Sequence, residues 1–157
     1  MSGALSGNRK RAMRSAARFF AVQALFQMEQ TNQTVEAVCR EFTDWRFGET
    51  FEDYEMEEGD PRHFRQTVDK AVDNQAAIDQ MTDRALVAAW PIGRIDPTLR
   101  ALFRAAGAEL MQPDTPPKVV IVEYLAVAKA FFPEGKEASF VNAVLDHMAR
   151  EARPEAF

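Results

Sequence analysis

Three times this chain sets proline directly behind a residue that suits a helix N-cap: Asp60-Pro61, Asp96-Pro97 and Thr115-Pro116-Pro117. Proline breaks a helix interior but is favoured in the first turn, where its missing N–H is no loss. Each start is followed by apolar residues spaced three and four apart. Phe64, Val68, Ala71, Val72, Ile78 and Leu86 predict one long helix from Asp60 to about Ala89, broken by Trp90-Pro91-Ile92-Gly93. Leu99, Leu102, Phe103, Ala106 and Leu110 predict a helix ending near Gln112. The third start leads into Val119-Val120-Ile121-Val122, a run with strand propensity. Periodicity alone does not decide it, but the segment runs unbroken to Phe132, which favours a helix over a buried strand.

The flanking segments follow the same rule. Met1–Asn8 is patternless Gly, Ser and Ala, a candidate flexible tail. Arg9 to about Met28 holds neither Pro nor Gly and much Ala, a good helix composition. Gln33–Trp45 carries Val35, Val38, Phe42 and Trp45 at helical spacing, and Phe140, Val141, Val144, Leu145 and Met148 mark a last helix. The expectation is an all-α bundle of six or seven helices with no convincing strand, in one domain over 9–153 with halves of about 9–89 and 90–153.

Charge is distributed unevenly. The net charge is −5, yet Arg9, Lys10, Arg11, Arg14 and Arg18 precede Glu29 without a single acid among them. The remainder holds 14 basic and 24 acidic residues. On a helical wheel Lys10, Arg11, Arg14 and Arg18 fall inside one arc of about 100°. Met13, Ala17, Phe20 and Ala24 line an apolar stripe beside it, and Phe19, Val22 and Phe26 line a second. A basic arm on an acidic body suits contact with phosphate at one end, through counterion release and guanidinium forks. A solvated helix face is the plainer alternative. Gly48–Asp60, with seven acids and no base, reads as a solvated acidic loop and a candidate electrostatic shield for the arm.

Enzyme chemistry finds no support here. Cys39 is the only cysteine, which excludes an intramolecular disulfide and a cysteine zinc site. His63 and His147 lie 84 positions apart, each without a Cys or His at ligand spacing. There is no Gly-rich phosphate loop and no nucleophile motif. Glu57, Glu58, Asp60 and His63 are read as loop and cap residues rather than a metal cluster, so neither metal nor cofactor is expected. No apolar run reaches the roughly 20 residues of a membrane helix, and Arg14, Arg18, Gln23 and Gln27 break any signal-peptide core, which fits a cytoplasmic protein.

Four segments in order resemble the NusB family. Ala17-Arg18 followed by Ala21-Val22-Gln23-Ala24-Leu25-Phe26 is similar to its first-helix motif, and Phe64-Arg65 to the opening of its third helix. Arg100, Leu102, Arg104, Ala105 and Glu109-Leu110 resemble a central helix of the family. Val119, Ile121, Glu123, Ala128-Lys129, Phe131 and the run Phe140-Val141-Asn142-Ala143-Val144-Leu145-Asp146 resemble its closing signature. The chain departs at Phe19 and Ala108, where the family has an acid and an aromatic, and at Val122 and Ala126, where Asn and Glu are usual.

The resemblance implies a two-part helical protein acting in transcription antitermination without catalysis. It pairs with a ribosomal small-subunit protein that doubles as NusE, binds boxA-type single-stranded RNA, and reaches the RNA polymerase elongation complex indirectly. Arg9, Lys10, Arg11, Arg14 and Arg18 then become RNA contacts. Phe131 and Phe140 correspond to RNA-contacting aromatics, although core packing explains both equally simply. Asn142 is either an RNA contact or a local cap, and Lys136 extends the basic patch from the last loop. Phe26 stands where the family often has Tyr and is the candidate partner-docking residue, unless its stripe is buried. A helical protein-interaction module without specific RNA binding is the competing reading.

Overall fold

The computed structural model describes residues 6–47, 50–51, 54–55, 59–86, 94–135 and 137–157. Seven α-helices are present among them: α1 (Gly7–Thr31), α2 (Val35–Glu41), α3 (Pro61–Asp73), α4 (Gln75–Ala85), α5 (Pro97–Leu110), α6 (Pro117–Phe131) and α7 (Ala138–Ala152). All three proline starts open a helix, although only two are capped by the residue before the proline: α6 starts at Pro117 with Pro116 at its N-cap and no side-chain cap from Thr115. Asp60 accepts from the N–H groups of Arg62 and His63, and Asp96 accepts from that of Thr98, so both satisfy otherwise orphaned first-turn donors. The Val119–Val122 run is helical, inside α6. The stretch Trp90–Gly93 lies outside the described residues.

Three details differ from the sequence expectation. The long helix after Asp60 is two helices that meet at Asn74 (φ −118°, ψ 20°). The Asn74 side-chain amide and backbone N–H both donate to the Lys70 carbonyl at 3.0 Å, so the side chain folds back on the last turn of the first helix where the backbone leaves helical geometry. The Gln33–Trp45 segment is the short α2 followed by a π-helical turn, Phe42–Arg46. Thr50–Phe51 (β1) and Tyr54–Glu55 (β2) pair as a two-residue antiparallel ladder inside the acidic segment, most of which is otherwise outside the described residues. The all-α class is unaffected.

Helix α5 is the hub, packed against α1, α3, α4, α6 and α7. Its sequence explains why. From Ala101 to Leu110 every residue except Arg104 is buried, and five of them are Ala or Gly, so neighbouring backbones approach closely. At Gly107 the approach is tightest: a β-carbon there would lie 2.4 Å from Ile78 Cγ2 of α4. The Phe bias also finds its use. Phe20, Phe42, Phe47 and Phe64 interlock with ring centroids 5.0–6.3 Å apart, filling the space between α1, α3 and the π turn without a polar tip to satisfy. Cys39 is buried beside this cluster region, and burial pushes its thiol up to about 11, so it is an inert packing residue. No helix among the described residues is long and apolar enough to cross a membrane.

Candidate nucleic-acid interface

The basic arm is the first two turns of α1. Ser6 caps the helix by accepting from the Arg9 N–H at 3.0 Å. The first turn has no acidic residue. Arg9, Lys10 and Arg11 are exposed and Arg14 is half-buried. An unneutralised helix N-terminus carries about half a positive charge, so clustering cations on it is unfavourable to the helix alone. An anion at this end relieves both the dipole and the mutual repulsion. Arg11 is held by Asn8, whereas Lys10 and Arg14 make no ion pair among the described residues. The end of the acidic segment is tied to this helix by the backbone, since the Asp60 N–H donates to the Met13 carbonyl at 3.0 Å.

Arg18 must be taken out of the exposed set. It shares its angular position with Arg14 but lies about 6 Å deeper along the axis, where Ala16, Ala17, Phe19 and Phe20 are all buried. It is 4% exposed. Its Nε and Nη2 donate to Glu109 Oε2 and Oε1 at 2.8 and 3.2 Å, and Nη1 lies 3.5 Å from Glu123 Oε1. Buried and forked onto Glu109, this guanidinium has its charge compensated inside the fold and is not presented to phosphate at the surface.

Glu109, itself 1% exposed, gathers a network that sequence reading missed. Besides Arg18, the Tyr124 hydroxyl donates to its Oε2 at 2.5 Å. His63 Nε2 lies 3.1 Å from Oε1, close enough for attraction but off the line of a full hydrogen bond. Burial raises the Glu109 carboxyl, yet His63 and Arg18 outweigh it and hold the group at about 2. Tyr124 is pushed well above the usual phenol range by burial and the adjacent carboxylate. The available signal was Glu109 itself, a lone carboxylate in an otherwise apolar run from Ala105 to Leu110.

The aromatic candidates separate in space. Phe131 is half-buried and stacks on Phe19 (centroids 4.7 Å, planes 8° apart). Together with Val22, Phe26, Gln27, Phe42 and Arg46 it lines a groove of about 360 Å³. Phe26 is 36% exposed there. Two residues expected at different interfaces, Phe131 at RNA and Phe26 at the partner, therefore line one groove. Phe140 is half-buried with its edge to Phe103 (6.3 Å, 72°), and Asn142 is exposed on α7. Lys136 lies outside the described residues. Among the described residues no group of three or more His, Cys, Asp or Glu side chains comes together to hold a metal.

The NusB family model matches residues 15–150. The chain belongs to the NusB family. A Granulibacter bethesdensis protein named transcription antitermination protein NusB is 44% identical over 156 residues, covering 96% of this chain and 95% of the relative. The protein of that name from Maricaulis maris is 46% identical over 153 residues, covering 97% and 94%. Among solved structures, NusB of T. maritima superposes with a TM-score of 0.72 at 28% identity, covering 98% of this chain and 99% of that one. The fold is also shared, at TM-score 0.72 and 21% identity over 88% of this chain and 97% of the other, with a chain of the complex of antitermination factors NusB and NusE with double-stranded RNA. Family membership carries no residue assignment by itself. The geometry of this chain has to supply that.

Proposed function

We propose that this protein is an RNA-binding transcription antitermination factor that holds boxA-type single-stranded RNA jointly with a ribosomal small-subunit protein acting as NusE. Through that complex it serves the RNA polymerase elongation complex, without catalysis and in the cytoplasm. The observation that carries the reading is the arm: Arg9, Lys10, Arg11 and Arg14 gathered on an acid-free helix start. Phosphates satisfy the cations and the helix dipole together. The names of the relatives and the composition of the NusB–NusE–RNA complex support it.

Phe140 and Asn142 extend the RNA track at the start of α7. The groove between Phe26 and Phe131 receives the ribosomal partner, which moves Phe131 from the RNA set to the partner set. A groove with aromatic anchors, Phe26 and Phe131, inside a polar rim that includes Gln23, Gln30 and Arg46 has the make-up of a protein interface.

Fluorescence anisotropy on a boxA-like strand and a scrambled control, with and without the ribosomal partner, tests the reading. Tighter and sequence-selective binding in the partner's presence is the expected result. Equal binding of both strands under both conditions would leave a protein-interaction module with a basic arm.

A further inference from the structure

A second cleft opens beside the arm, between α1, α3 and the segment joining α5 to α6, with a volume of about 310 Å³. Arg14 forms one wall, Gln66 another, and Gln112 and Asp114 face them from the end of α5 and the loop beyond. Pro116 and Val119, at the start of α6, supply an apolar side. The floor is Arg18 and Glu109, already locked to each other.

The charge count decides what class of group fits. Two arginines, Arg14 and Arg18, face two carboxylates, Glu109 and Asp114, and the remaining ionisable group, His63, lies against Glu109 at 3.1 Å, so the cleft has no cluster of uncompensated cations to hold a phosphate. What its lining offers instead are two carboxamides, Gln66 and Gln112, each with donors and an acceptor, together with the apolar Pro116 and Val119. That combination suits a flat, neutral group with a polar edge. Single-stranded RNA supplies such groups as unstacked bases, read on their Watson–Crick and Hoogsteen edges. Position argues the same way: Arg14 belongs both to the arm that would track the backbone and to the wall of the cleft.

We infer that this cleft seats one unstacked base of the bound strand, with Gln66 and Gln112 reading its edge and Pro116 and Val119 covering its face. The inference rests on the RNA-binding reading of the arm and adds a residue-level source of sequence selectivity to it.

The test is a set of boxA-like strands, each lacking the base at one position, titrated against the full chain and against Gln66→Ala and Gln112→Ala. Both glutamines lie outside the buried network, and unchanged thermal melting verifies that the variants fold. In the unaltered protein, removing one particular base should weaken binding about tenfold, within the range for a base held by stacking and edge contacts. In either variant the same removal should cost threefold or less, because the contact is already gone. Base removal that costs the same at every position, or a sensitive position that stays equally sensitive in both variants, overturns the base seat while leaving the arm's role intact. Failure of the unaltered protein to bind any strand overturns both.

Discussion

Arg18 and Glu109, 91 residues apart in sequence, form a two-pronged buried ion pair that clamps α1 to α5, with Tyr124 of α6 closing the third side. The clamp lies directly beneath the basic arm. It sets where Arg14 stands relative to α3 and the α5–α6 segment, and therefore shapes both the arm and the cleft beside it.

Removing one partner of this pair leaves the other charge buried and uncompensated. Arg18→Ala or Glu109→Ala should each destabilise the fold by about 3–5 kcal/mol in urea unfolding. The double variant should cost clearly less than the two single costs combined, because no orphan charge of the pair remains. Simple additivity would mean that the pair is not coupled.

The clamp also predicts an acid limb. The folded Glu109 carboxyl, at about 2, lies below its ordinary value of 4.5, so it contributes stability that is complete above about pH 4.5. That contribution, a few kcal/mol, is lost as pH falls from 4.5 towards 2. Unfolding free energies of wild type and Glu109→Gln measured across this window should converge at the acid end. A constant difference from pH 5 to pH 2 would place the titration elsewhere.

Gly107→Ala puts a β-carbon against Ile78 Cγ2 in the packed α4–α5 contact. Overpacking of this kind costs about 1–3 kcal/mol. Combining it with Ile78→Ala should cost less than the sum of the single losses, measured by thermal or urea unfolding. An unaltered stability for Gly107→Ala would show that the two helices separate freely.

Phe26→Ala should weaken capture of the ribosomal partner at least tenfold while changing RNA binding by the isolated chain less than twofold. Phe131→Ala should behave as Phe26→Ala does, since both line one groove. A selective loss of RNA binding in Phe131→Ala would return that ring to the RNA track.

Much of this fold is written locally. Asp60-Pro61, Asp96-Pro97 and the apolar spacing behind them announce helix starts through nearest-neighbour chemistry, and the structure places α3 and α5 there. What local pattern cannot carry is an unmarked break or a distant partner. Asn74 is tolerated inside many helices, and nothing in the flanking pattern marks it as the residue, at φ −118° and ψ 20°, where α3 gives way to α4. Arg18 looks like Arg14 on a helical wheel, and only Glu109 in α5 and Glu123 in α6 show that its charge is spent inside. Phe131 and Phe26 sit on different helices, so their common groove appears only after α1 and α6 pack.

The salt dependence of RNA binding tests the central claim most directly. Four surface cations in the arm, Arg9, Lys10, Arg11 and Arg14, correspond to a log–log slope of about −2.8 on single-stranded RNA if each meets a phosphate, against about −3.5 had Arg18 been a fifth. Arg14→Gln should flatten the slope by about 0.7. A slope near zero, or one that Arg14→Gln leaves unchanged, would contradict the account and place the RNA, if it binds at all, away from the arm.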